Sequence, residues 1–165
     1  SYRLIALCET AKGVQAAPEI AELDNVIGLM WGSEDLVASI GGTSSRTPDG
    51  QYRAVARHAR SRVLLAAAAE GKAMIDAVYM NIPDLDGLRA EAEDAAQSGF
   101  RASACIHPNQ VDVIRDAYRP TPEQVEWATG VLAAAESERG VFNHNGQMID
   151  EPVLKLARTL LTRNG

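Results

Sequence analysis

Short apolar runs alternate with longer segments of helical period along the first two thirds of the chain. Leu4 to Cys8, Val26 to Trp31, Met74 to Met80 and Ala102 to Ile106 are rich in residues that suit strands. Between them, Val14 to Leu23 and Tyr52 to Glu70 carry apolar or alanine positions at helical spacing. Leu85 to Gln97 opens after Asp84, a capping residue type, and stops at Gly99. Each strand is therefore followed by a returning helix. Strands this continuously apolar are buried on both faces, which predicts an α/β fold with a parallel sheet covered by helices. An open flavodoxin-like sheet and a TIM (β/α)8 barrel both satisfy the pattern. Four strands do not close a barrel, so the barrel requires four further βα units beyond this sequence. The chain opens on Ser1 without a methionine and enters a strand almost at once, as a fragment would.

After the fourth run the pattern turns wholly helical. Pro108 opens one helix, and Thr121, Pro122 and Gln124 form a capping-box start for another, which carries Val125, Leu132 and Ala135 and ends at Gly140. A linker containing Phe142, Asn143, Asn145 and Gly146 follows. A last amphipathic helix then carries Val153, Leu154, Leu156, Leu160 and Leu161. The expected organisation is βα units over residues 1–117 and a helical C-terminal extension over 118–165. The most loop-like segment is Gly41 to Ser45 with the following Pro48, Asp49 and Gly50.

Composition narrows the partners. The 165 residues are 46% hydrophobic and 23% charged, ordinary for one packed domain. A net charge of -6 argues against nucleic acid, whose phosphates call for a basic face. No run approaches the ~20 apolar residues of a bilayer span, and the first residues lack a signal-peptide pattern. Cys8 and Cys105 lie far apart inside strand-like runs, so neither a disulfide framework nor a metal pair is expected, and a reduced, cytoplasmic setting fits.

In parallel α/β architectures ligands gather at the C-terminal ends of strands. That rule selects Glu9 and Thr10 after the first run, Gly32, Ser33, Glu34 and Asp35 after the second, Asn81 after the third and His107 after the fourth. Magnesium takes oxygen ligands and keeps several waters, so two carboxylates from neighbouring strands suffice for a site. Glu9 and Asp35 supply that number. Acids also cap helices, and from spacing alone a cap near Lys12 for Glu9, or on the turn after the second strand for Glu34 or Asp35, is the stronger explanation.

The run Ala6-Leu7-Cys8-Glu9-Thr10-Ala11-Lys12-Gly13 followed by Gly32-Ser33-Glu34-Asp35-Leu36 resembles the citrate lyase beta-subunit family of aldolase/citrate lyase enzymes. Ile106-His107-Pro108-Asn109-Gln110 resembles its Ile-His-Pro-x-Gln motif. Gly146-Gln147-Met148-Ile149-Asp150 with Pro152 resembles its C-terminal Gly-x-Met-x-Asp-x-Pro segment. The four segments keep their order and span essentially the whole chain. The resemblance implies the C-terminal half to two-thirds of a barrel enzyme with a helical extension. It also implies a magnesium-dependent lyase that splits a 3-hydroxyacyl-CoA of the citryl-, malyl- or citramalyl-CoA type into acetyl-CoA and a 2-oxo acid. Thioester hydrolysis, CoA-independent cleavage of a free 2-oxo acid, and a non-catalytic oxaloacetate- or CoA-binding subunit are the alternatives on the same fold.

The resemblance places Glu9 and Asp35 at the metal. Backbone N–H groups of Gly32, Ser33 and Glu34 are expected to hold the oxo-acid carboxylate. Asp150 is expected to move a proton in the active site of a neighbouring subunit, in a homotrimer; as a plain residue two before Pro152 it also suits a helix cap. The family's substrate-gripping arginine comes from an earlier strand that this sequence does not contain, so the fragment by itself is expected to be inactive. His107, beside Pro108, is read as bonding local backbone, and His58 and His144 as solvent-facing. Arg53, Arg57, Arg60 and Arg62 are read as a solvated basic face, with Arg46 a candidate phosphate contact.

Overall fold

In the computed structural model of the protein, residues 2–138 and 140–164 are described. They divide into two compact units, residues 1–114 and 115–165.

The first unit is built on four parallel strands, β1 (Leu4–Cys8), β2 (Val26–Trp31), β3 (Ala73–Asp76) and β4 (Ala102–Ser103), in the spatial order β1-β2-β3-β4. Consecutive strands lie side by side, each reached through a helical crossover, which is the barrel pattern and not that of an open doubly wound sheet, where the order reverses. The crossovers are α1 (Ala11–Gln15) and α2 (Ala17–Ala21), then α3 (Ser33–Ser39) and α4 (Ala54–Ala69), then α5 (Leu85–Ser98). The expected single helix from Val14 to Leu23 is two short ones, because Pro18 supplies no N–H to carry the first onward and instead opens the second. The third and fourth strands are shorter than their apolar runs. Tyr79 to Met80 and Cys105 to Ile106 belong to the loops leaving the sheet, and Cys105 is exposed while Cys8 is buried; both thiols are free. The helix after α5 and β4, α6 (Gln110–Tyr118), starts two residues beyond Pro108.

Strand alternation assigns the two faces of the sheet. Cys8, Leu29, Trp31, Met74 and Asp76 are all at most 2% exposed and point toward the helical layer, where α2 and α4 pack on β2 and α4 packs on β3. The opposite face carries Ile5 and Leu7, which are 52% and 48% exposed, beside their register mates Gly28 and Met30. Glu9 follows Leu7 by two residues and Gly32 follows Met30 by two, so both continue this second, uncovered face at its C-terminal rim.

Two helix ends in this unit are built as the sequence anticipates. Asp84 accepts from Gly87 N to cap α5, and Gly99, at φ 110, closes it in a left-handed turn that spares a side chain the steric cost.

The second unit packs α7 (Pro122–Ala135) on α8 (Glu151–Asn164) around Ala128, Val131, Ile149 and Ala157, with Trp127, Phe142 and Leu160 against them. The capping box at Thr121 and Gln124 is present with both of its hydrogen bonds. The segment expected as a linker is a β-hairpin, β5 (Phe142–His144) paired antiparallel with β6 (Gln147–Ile149). Asn145 and Gly146 turn it with φ of 52° and 83°, the two positive values of a type I′ turn. Among the described residues no helix is long and apolar enough to cross a membrane.

Candidate active site at the strand ends

Glu9 leaves β1 directly. It does not cap α1: Thr10 does, accepting from Gly13 N at 3.0 Å. Asp35 sits in the first turn of α3 with Glu34, and neither caps that helix, because the N-cap is Gly32 and no side chain closes it. Glu9 thus caps no helix, while Glu34 and Asp35 make no side-chain cap but remain first-turn acids, which the helix dipole favours.

Asp35 lies close enough to Glu9 to bear on its charge. Burial, the Asp35 charge and a side-chain hydrogen bond with Asp35 together push the Glu9 carboxyl above its ordinary value. Among the described residues neither acid is ion-paired to a lysine, arginine or histidine. Asp35 is exposed and Glu9 half-buried, so water reaches both, and an oxygen-only donor set of two carboxylates suits a hard divalent cation such as Mg2+. No third histidine, cysteine or acid joins them in a ready-made cage among the described residues. The ligand count is that of a magnesium site completed by water and substrate oxygens.

Gly32 makes room for this arrangement. A methyl at that position would lie 3.0 Å from Glu9 Oε2 and 3.1 Å from Glu9 Cβ, so the glycine lets the Glu9 side chain lean across the end of β2. The Gly32, Ser33 and Glu34 backbone forms the start of α3, the region expected to receive an anion. The Glu34 carboxylate itself points elsewhere: its Oε1 accepts from Ser33 Oγ at 3.0 Å and from Ser45 Oγ at 2.5 Å.

Behind β2 and β3 lies a charged cluster that periodicity did not reveal. Asp76, at the end of β3 and 2% exposed, accepts from Trp31 Nε1 at 2.5 Å and from Arg60 Nη2 at 2.7 Å. Arg60 continues to Asp94 at 2.6 Å and stacks over Phe100. Burial pulls the Arg60 guanidinium down, but its hydrogen bonds to Asp76 outweigh that and hold it above its ordinary range. Arg46 lies 3.8 Å above the Tyr52 ring and pairs with Glu91 at 2.8 Å. Arg62 donates to the Val14 and Gln15 carbonyls. Arg60 and Arg62, two of the four arginines read as a solvated face, are thus structural ties, and Arg46 is already committed to an acid. Asp76 was the residue to find in the sequence, as the one acid inside the third apolar run.

His107 accepts from Asn109 N at 3.2 Å through Nδ1, the local backbone role expected of it. Gln110, three residues on, is fully buried; its amide donates to Tyr79 O at 2.9 Å and accepts from Ile106 N at 3.0 Å, clasping the loops after β3 and β4. In the second unit, Asp150 Oδ1 accepts from Val153 N at 3.2 Å at the start of α8. Its capping role is thus realised.

A model of the HpcH/HpaI aldolase/citrate lyase family matches residues 1–108. The chain belongs to that family. It is 56% identical over 162 residues to a citrate lyase subunit beta-like protein of Mycobacterium tuberculosis, covering 98% of this chain and 59% of that protein. It is 36% identical over 173 residues to the mitochondrial citramalyl-CoA lyase of Rattus norvegicus, covering 96% of this chain and 49% of the relative. The chain thus spans about half the length of these curated relatives. Its fold superimposes on the crystal structure of CitE from Mycobacterium tuberculosis in complex with magnesium, acetoacetate and coenzyme A, with a TM-score of 0.91 and 55% identity over 99% of this chain and 61% of that one. A citrate lyase structure from Burkholderia xenovorans LB400 matches with a TM-score of 0.84 at 26% identity, covering 98% of this chain and 52% of that one. The four βα units are accordingly part of the TIM-barrel-like fold of this family.

Proposed function

We propose that the full-length protein is a magnesium-dependent carbon-carbon lyase acting on a 3-hydroxyacyl-CoA thioester, with acetyl-CoA and a 2-oxo acid as products. The observation that carries this reading is the placement of Glu9 at the end of β1 and Asp35 in the first turn after β2, near enough to bear on each other's charge and ion-paired to no basic side chain among the described residues. Family membership and relatives crystallised with magnesium, acetoacetate and CoA support it.

In this reading Glu9 and Asp35 hold Mg2+ as oxygen ligands. When bound, the cation stabilises negative charge on the substrate oxygen that changes between alkoxide and ketone. The N–H groups at the start of α3, from Gly32, Ser33 and Glu34, orient the oxo-acid carboxylate toward that end of the sheet. Cleavage removes the proton of the 3-hydroxyl, breaks the adjacent carbon-carbon bond and returns a proton to the acetyl carbon. Asp150 is assigned to proton transfer, supplied by a second copy in a trimer. This assignment rests on the family likeness of its segment, and the free thiols of Cys8 and Cys105 support a reducing, cytoplasmic setting.

The test is to supply malyl-, citramalyl- and citryl-CoA to the full-length protein with Mg2+ and follow 2-oxo acid and free thiol separately. Oxo-acid release without thiol release is the expected result, abolished by Glu9→Gln and by Asp35→Asn. Thiol release alone would make the protein a thioesterase, and cleavage of free hydroxy-oxo acids without CoA an aldolase. Full activity in either variant would refute the metal assignment. Mixing inactive Asp35→Asn with inactive Asp150→Asn protein should restore activity only if Asp150 serves a neighbouring copy.

A further inference from the structure

Asp35 needs a fixed position, yet the first turn of α3 lacks the side-chain cap that would anchor it locally. Its neighbour Glu34 is held from a distance in sequence instead. Ser45, 2% exposed, donates to Glu34 Oε1 at 2.5 Å, and Ser33 Oγ donates to the same oxygen at 3.0 Å. We propose that Ser45 and Glu34 form a clasp that positions Asp35 for Mg2+; Glu34 and Ser45 are positioning residues, and the proposal rests on the metal-site reading above.

Ser45 can serve as an anchor because it is itself immobilised. Its carbonyl accepts from Arg53 N at 2.8 Å, Thr47 N donates to Gln51 O at 2.8 Å, and Arg46 and Tyr52 form an antiparallel bridge. This small loop is bolted to α5 through Glu91, which accepts from Tyr52 Oη at 2.9 Å and pairs with Arg46 at 2.8 Å. Tyr52 also meets Trp31 edge to face at 5.2 Å, and Trp31 immediately precedes Gly32. Both ends of the turn from Gly32 to Asp35 are therefore tied to one block, Trp31 through Tyr52 and Asp76, and Glu34 through Ser45.

The clasp also has a chemical consequence. A free Glu34 carboxylate beside Asp35 would compete for the cation as a third ligand; two hydroxyl donors on one of its oxygens turn it back toward the loop. Outer groups that orient metal ligands commonly alter affinity by about 10–100-fold when they bond the ligand directly. Glu34 acts one residue away, so a loss of about three- to tenfold is expected, by the same reasoning.

The experiment uses the full-length protein and Mn2+ as the probe, with affinity read by electron paramagnetic resonance, alongside thermal melting without metal and steady-state kinetics against Mg2+ concentration. Ser45→Ala keeps every charge and releases the clasp. It should weaken Mn2+ about three- to tenfold and raise half-saturating Mg2+ likewise, while kcat at saturating Mg2+ stays near wild type. A purely structural role would lower kcat and the melting temperature without moving Mn2+ affinity. Wild-type Mn2+ affinity in Ser45→Ala overturns the proposal. So does weakening confined to Glu34→Gln, which would mean Glu34 acts by charge and not by position. Asp35→Asn separates the two levels: if it too binds Mn2+ normally, the metal site itself is misassigned, whereas loss there with normal Ser45→Ala binding refutes the clasp alone.

Discussion

Replacing Gly32 by alanine tests the geometry of the candidate metal site with little disturbance elsewhere. Gly32 has φ -131° and ψ 128°, extended backbone open to any residue, so alanine introduces no backbone strain. Its methyl would arrive 3.0 Å from Glu9 Oε2 and 3.1 Å from Glu9 Cβ. Contacts that short require the Glu9 side chain to give way by a few tenths of an ångström. Mg2+ accepts carboxylate oxygens at about 2.0–2.1 Å in near-octahedral order, and workable sites keep their distances within about 0.2 Å. A retreat of that size is expected to weaken Mg2+ about tenfold, or about 1.4 kcal/mol. The stability cost is smaller, up to about 1 kcal/mol for alanine in place of glycine at an N-cap, a few degrees in Tm. Calorimetric titration of the full-length Gly32→Ala protein with Mg2+, beside Glu9→Gln, checks this. Wild-type affinity in Gly32→Ala would show that Glu9 does not reach the ion by leaning over Gly32.

Removing Asp76 leaves the Trp31 N–H without its acceptor and Arg60 with only its outer acid. Asp76→Ala is therefore expected to cost about 3–5 kcal/mol in a urea melt, and a loss under about 1 kcal/mol would contradict the role given to the cluster. Glu91 is pushed above the usual carboxylate range chiefly by burial, against the pull of Arg46. A raised folded-state pKa adds stability below the unfolded value, and that contribution fades as pH rises through the folded one. Tm of wild type minus Tm of Glu91→Gln should thus fall as pH rises from about 4.5; a rise in that signed quantity would reverse the sign assigned to burial. Gly146→Ala forces a methyl onto φ 83° in the hairpin turn and should destabilise the second unit by about 1 kcal/mol, visible as faster amide exchange in residues 142–149.

The strands and their ends were legible because buried parallel strands leave unbroken apolar runs: β1 and β2 have the expected bounds, Glu9 follows β1 directly, and Asp35 lies in the first turn of the helix after β2. The hairpin at Phe142–His144 and Gln147–Ile149 escaped notice although Asn145-Gly146 is a strong turn signal, since three-residue strands are too short to show alternation. The arginines of α4 read as a surface because helical periodicity measures apolar positions; Arg60 reaches a buried acid with a long apolar stem. Ser45 was invisible for another reason. Its bond to Glu34 spans eleven residues and depends on how the Arg46–Tyr52 loop folds back, which no local pattern encodes.

Trp31 gives the molecule its own optical reporter. The chain has two tryptophans, Trp31 and Trp127. Trp31 is wholly buried, hydrogen-bonded to Asp76 and stacked edge-on against Tyr52, one residue ahead of the turn that carries Asp35. Trp127 lies in the second unit, partly exposed, bonded to Gln147. Within this stretch of sequence, a Trp127→Phe change leaves Trp31 as the one indole emitter. Its emission then follows the packing directly behind the strand ends, so under the proposed metal assignment it would report cation uptake at the rim without a dye.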